Sequence, residues 1–122
     1  EMNTGQEELE KDKLFYTIMI RQPEVITREL FCQALKKVKI KKPNPLYDAI
    51  SFEEIEDGQC VQMLHIGSYD DEPRSFAEMD AFIQEEGLKR SSKIHREIYL
   101  SNLQKTAKEK LKTILRYQVE EA

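Results

Sequence analysis

Asp57-Gly58 is the tightest local constraint on this chain. A two-residue Asp-Gly signal between strand-like segments favours a hairpin, because glycine readily takes the positive φ that a tight turn needs. Residues 49–67 read as that hairpin, and a hairpin means antiparallel pairing. In its second arm Cys60, Gln62, Leu64 and Ile66 share one face, and Val61, Met63 and His65 the other.

Residues 14–20 (LFYTIMI) form a dense β-branched and aromatic run, which predicts a strand apolar on both faces. After Pro23, residues 25–39 carry Leu30, Phe31, Ala34, Leu35 and Val38 at helical spacing, and Pro43 and Pro45 end that helix. Ser75 with Glu78 reads as a capping box opening a second helix, whose buried stripe is Phe76, Met79, Phe82 and Ile83. Gly87 is its natural left-handed stop. Residues 93–100 (KIHREIYL) and 111–119 (LKTILRYQV) are strands, with a short helical turn near 106–110 between them. The expectation is an α+β fold in the order β-α-β-β-α-β-β, an antiparallel sheet with two helices on one face. Residues 1–12, rich in Glu and Lys without periodicity, read as a disordered or linking tail, and 13–122 as the domain.

Bulk properties narrow the function. A net charge of −4 gives no whole-chain footprint for nucleic acid, and no helix-turn-helix pattern is evident. No apolar run is long enough to span a membrane, and the charged start is unlike a secretory signal, so the expected compartment is the cytoplasm. Cys32 and Cys60 read as buried free thiols. The lysines between 36 and 42 read as a solvated helix C-terminus, where cations complement the dipole. His65, His95 and Cys60 lack metal-ligand spacing, so no metal and no cofactor is expected.

The residue that stands out is Glu97, a carboxylate inside a strand. Alternation puts Ile94, Arg96, Ile98 and Leu100 on one face and His95, Glu97 and Tyr99 on the other. If the aliphatic side packs on the helices, Glu97 lies on the sheet surface away from them. It is then either solvated beside a cross-strand base or set in a groove with Phe15, Met19, Met63, Tyr69, Tyr99 and Tyr117. A carboxylate among aromatic rings attracts cations and, once desolvated, can act as a general acid or base.

Residues 16–23 (YTIMIRQP), 60–76 (CVQMLHIGSYDDEPRSF), 95–101 (HREIYLS) and 109–119 (EKLKTILRYQV) together resemble the GyrI-like small-molecule-binding family, over roughly residues 13–120. The resemblance implies a pseudo-duplicated β-α-β-β fold around a hydrophobic cleft. It implies a bacterial protein of multidrug-recognition type, like the effector-binding domains of transcription regulators, which binds hydrophobic, cationic or planar small molecules. Some stand-alone members resemble cyclopropanoid cyclase/hydrolases, and the naming member inhibits DNA gyrase, which would shift weight to the acidic loop Asp70, Asp71 and Glu72. Carried onto this sequence, Glu97 is the cleft glutamate, Tyr69 the loop tyrosine and Tyr99 the strand aromatic. In an enzyme, Glu97 and Tyr69 would be catalytic. The ligand-binding set is Glu97, Tyr99, Tyr69, His65, Met19, Met63, Phe15 and Tyr117. Two departures stand out. The stretch after the EIYLS strand, NLQKTAKEK, lacks the family's usual turn, and the family's first strand, first helix and second strand are not evident. The expectation is therefore a C-terminal fragment with an incomplete cleft, whose exposed apolar face could favour a homodimer.

Overall fold

The computed structural model describes residues 15–122. They divide into two compact units, 15–56 and 57–122.

In the first unit, helix α1 runs Arg28–Lys41. Thr27 caps it, its hydroxyl accepting from the Leu30 N–H at 3.2 Å, and Lys39 and Lys41 sit in the last turn. Thr27 thus satisfies one orphan donor of the first turn, and the lysines complement the carbonyl end. Phe31 stacks on Phe52 at 5.4 Å, and the Arg28 guanidinium lies 5.7 Å from the Phe52 ring centre. Asn44 caps a short 3-10 turn, Pro45–Ala49, whose Asp48 pairs with Lys39 at 3.1 Å. No residue of α1 is buried.

The strand expected over 14–20 does not form across its described residues, 15–20, while Leu14 lies outside them. Phe15, Tyr16, Ile18 and Ile20 are exposed instead. Strand propensity expresses fit to a packed, paired surface, and this segment has no ladder partner among the described residues. The first arm of the expected hairpin fails likewise: no strand lies between residues 49 and 59. Gly58 does take the turn conformation, φ +67°.

The second unit holds the sheet. Strand β1 is Cys60–Ile66, β2 is Leu88–Tyr99 and β3 is Lys112–Glu121. Their order is β1-β3-β2, antiparallel throughout, so the described sheet has three strands rather than five. Helix α2, Glu72–Glu85, packs on one face. Val61, Met79, Ile83, Leu115, Tyr117 and Val119 form the core, with Met63, Phe76 and Leu88 packed against it. Burying such side chains contributes roughly 1.5–3 kcal/mol each. Among the described residues, no helix is long and apolar enough to cross a membrane.

α2 starts earlier than its expected capping box. Pro73 stands in its first turn, and Ser75 lies inside the helix, buried. Proline suits that turn because its missing N–H has no helical partner there anyway. The Ser75 hydroxyl is engaged with His65 rather than with the helix backbone. Gly87 ends the segment at φ +70°, as expected. Both cysteines are free, but Cys32 is exposed and Cys60 only half-buried, because neither lies among the core residues.

Register decides which face Glu97 occupies. β3 pairs Glu97 with Leu115, His95 with Tyr117 and Tyr99 with Thr113. Leu115 and Thr113 are fully enclosed, so His95, Glu97 and Tyr99 lie on the α2 side, opposite to the expectation. The aliphatic alternate residues face away: Ile98 pairs with Ile114, and Ile94 and Leu100 are exposed. Arg96 pairs with Arg116 on that outer face, and both reach Asp57 Oδ2, at 2.6 and 3.0 Å. The expectation failed because it equated the more aliphatic face with the core.

Candidate functional site

β2 delivers three polar side chains to the α2 side of the sheet in an i, i+2, i+4 row: His95, Glu97 and Tyr99. The Glu97 carboxylate accepts from His95 Nε2–H at 2.8 Å through Oε2 and from the Tyr99 hydroxyl at 3.2 Å through Oε1. Glu97 and His95 side chains are each 25% exposed, so the group is reachable but largely desolvated. The turn after β1 adds Tyr69, whose ring meets Tyr99 edge-on at 5.7 Å. From α2, Phe76 packs edge-on against His95 at 4.8 Å and stacks on Tyr117 at 6.5 Å.

The first turn of α2 brings a second carboxyl. Glu72 is buried beside Glu97, and its Oε2 has no protein donor. Burial, then the Glu97 charge and a hydrogen bond to Glu97, push its pKa up to about 8. Glu97 moves the other way. The His95 hydrogen bond is the main cause and outweighs burial, with Tyr99 and Glu72 also donating. One proton therefore resides on Glu72 at neutral pH while Glu97 is ionised, the pattern of two carboxyls too close to ionise together. Burial and the Glu97 charge raise Tyr99 to about 12, and burial, Glu72 and Glu97 raise Tyr69. Both phenols stay protonated and able to donate. The site thus offers a base, a carboxylic acid and two phenol donors beside aromatic rings.

The structure brings Glu97, Tyr99 and Tyr69 together. It places the other candidates differently. His65 is 1% exposed, bonded through Nδ1 to Ser75 Oγ and through Nε2 to the Ser68 carbonyl, each at 2.7 Å. Tyr117 is 2% exposed and donates to Asp80 Oδ1 at 2.6 Å, with Arg90 4.3 Å from its ring centre. Burial and Asp80 push its pKa upward against the Arg90 charge. Met63 is half-buried against the core. Phe15 and Met19 belong to the other unit, where both are exposed. Among the described residues, no group of three His, Cys, Asp or Glu side chains could hold a metal ion.

Sequence reasoning missed Glu72, His95 and Phe76 as site residues. A signal for Glu72 existed: Glu72, Ser75, Met79 and Ile83 fall at helical spacing, and all four are buried. His95 precedes Glu97 by two residues and so shares its face.

Three solved structures from Listeria innocua align over 82% of this chain. An uncharacterized conserved protein is 39% identical, with a TM-score of 0.76 over 50% of its own length. Two chains described as hydrolases are each 37% identical, with TM-scores of 0.73 and 0.72 over 52% and 50% of their lengths. The chain therefore spans about half the length of these relatives. No curated protein matches it. The GyrI-like small molecule binding domain model matches residues 2–119, nearly the whole sequence, and the chain belongs to that family.

Proposed function

We propose that the Glu97 site takes hydrophobic small molecules that are planar or cationic. The observation behind this reading is an ionised, partly reachable carboxylate held by His95 and Tyr99 at the edge of the Tyr69–Tyr99 pair. Aromatic surface supplies stacking and burial, and Glu97 complements a ligand's positive charge. Titration calorimetry with matched cationic and neutral aromatics tests it. Glu97→Gln should weaken the cationic member about tenfold or more, the loss of one charge-assisted contact, and leave the neutral one unchanged. Equal loss for both would sink the charge role.

A second reading, hydrolysis, is favoured by the division of one proton between Glu72 and Glu97 and by the description of two relatives as hydrolases. For a strained cyclopropane conjugated to a carbonyl, Glu97 takes a proton from water as the water oxygen bonds to a ring carbon. The ring C–C bond breaks, and its electron pair passes to the conjugated oxygen. Tyr69, Tyr99 or Glu72 donates to that oxygen. Product analysis by mass spectrometry should show addition of one water by the wild type. Full activity in Glu97→Gln would remove the base role.

A further inference from the structure

His65 stands in the middle of β1 with almost no exposure, and the chemistry above does not use it. Its hydrogen bonds define its state. The Ser68 carbonyl can only accept, so Nε2 carries the proton that reaches it at 2.7 Å. In the neutral ring Nδ1 is then the acceptor, 2.7 Å from the Ser75 hydroxyl, which can donate to it.

The two partners are significant for what each precedes. Ser68 immediately precedes Tyr69 and caps the 3-10 turn Tyr69–Asp71, its hydroxyl accepting from the Asp70 N–H at 3.1 Å. Gly67 turns the chain there with φ +128°, and its N–H donates to the Leu111 carbonyl at 2.8 Å. A Cβ at Gly67 would lie 4.0 Å from His65 Nε2, so the turn folds closely over the ring. Ser75 is one helical turn beyond Glu72, on the same buried face of α2. One ring therefore fastens the segments that present Tyr69 and Glu72. The β1-β3-β2 register then carries that placement to Glu97 and Tyr99 on β2.

We propose that His65 is a positioning residue for this site: its Nε2–H tautomer, held between the Ser68 carbonyl and the Ser75 hydroxyl, places the Tyr69 ring and the Glu72 carboxyl against Glu97 and Tyr99. Its relevance to ligands rests on the function proposed above; the placement itself does not.

The two ring nitrogens can be separated by substitution. In His65→Gln the side-chain amide nitrogen reaches the Nε2 position and keeps the bond to Ser68. In His65→Asn the amide reaches only as far as Nδ1, and the Ser68 bond is lost. A generic need for a buried polar group would treat the two alike. NMR of the complete chain reads the result through cross-relaxation between the Tyr69 and Tyr99 rings. The glutamine variant should retain it and the asparagine variant lose it, and affinity for the planar cationic dye proflavine should drop about tenfold, the cost of one lost contact, only in the latter. Retention in both variants, or equal loss in both, overturns the proposal. Nitrogen-15 shifts of His65 in the unaltered protein supply a readout that does not depend on how the variants fold. A protonated Nε2 with a bare Nδ1 is expected, and the opposite tautomer overturns the assignment. Neither NMR readout needs a ligand, so failure of the dye to bind the unaltered protein counts against the ligand reading and leaves His65 to be judged on the rings and the tautomer.

Discussion

The two faces of the sheet each engage a carboxylate, and the two have opposite surroundings. On the outer face Asp57 Oδ2 lies between two guanidinium groups, Arg96 and Arg116, while Arg116 also donates to Gln62 Oε1 at 2.8 and 3.0 Å. The Asp57 carbonyl accepts from Gln118 Nε2 at 3.0 Å. That charge is matched by fixed cations, and its effect is to hold the approach to β1 against β2 and β3. On the α2 side Glu97 has an imidazole, a phenol and a second carboxyl. No guanidinium or ammonium is paired with Glu97 among the described residues, so it keeps the capacity to exchange a proton or meet a ligand's charge. Two carboxylates at one sheet thus sit in different settings, one matched by fixed cations and one beside groups that can exchange protons.

The comparison breaks most decisively at Glu97. Replacing it with Gln keeps the shape and removes the charge. If the site hydrolyses a substrate, turnover should fall by about 10²–10⁴-fold, the usual value of a positioned acid–base group. Chemical denaturation should show a stability change under about 1 kcal/mol, because the amide can still accept from His95 or Tyr99. A large loss of stability with turnover intact would make Glu97 the structural carboxylate of the two.

Asp57→Ala is the mirror experiment. It removes the acceptor between Arg96 and Arg116 and leaves two like charges side by side across the β2–β3 pair. Charge-assisted bonds of this partly exposed kind suggest a loss of about 2 kcal/mol in urea unfolding. Ligand affinity per folded molecule should not change. An unaltered unfolding midpoint would show the outer-face cluster to be as weak as a typical surface ion pair.

The same contrast explains what was legible in the sequence. α2 and its glycine stop, β1, β2 and β3 follow from local periodicity, because each is paired or packed inside one unit. Residues 15–20 have equal strand propensity but no partner among the described residues, and propensity alone does not make a strand. Alternation puts Glu97 and Tyr99 on one face, and the family resemblance singles out both together with Tyr69. Their side of the sheet could not be read, since it depends on the register with β3, which no local pattern encodes. His65 and Tyr117 share that face by alternation, yet they lie beneath α2, where Ser75 and Asp80 take up their polar atoms. Depth, unlike face, requires knowledge of what packs above. Glu72 was hidden because an acidic residue in an acidic loop reads as solvated, whereas the early start of α2 turns it inward.

The smallest expected effect sharpens the comparison by pH. Glu72, raised to about 8 from 4.5, holds its proton more tightly folded than unfolded. Its contribution to stability is therefore complete below the unfolded value of 4.5 and is lost as pH rises through about 8. Glu97, lowered by His95, contributes above the unfolded carboxylate value, and that contribution is lost as pH falls through its depressed folded value. The two groups thus oppose one another across acid and mildly alkaline pH. Glu72→Gln replaces the protonated acid with a neutral amide, so it should leave stability nearly unchanged near pH 4, where Glu72 is protonated in both states. By pH 5.5 the variant should gain on the wild type by on the order of 1 kcal/mol, within a ceiling of about 1.4 kcal/mol per pH unit for one proton. Thermal unfolding of both proteins across that range measures the difference. Parallel curves would mean that Glu72 is ionised at neutral pH beside Glu97, and the site would then hold two bases and no carboxylic acid. Diverging curves would leave Glu97 as the base of the pair and Glu72 as the acid, a division of labour that Asp57, between its two arginines, cannot enter.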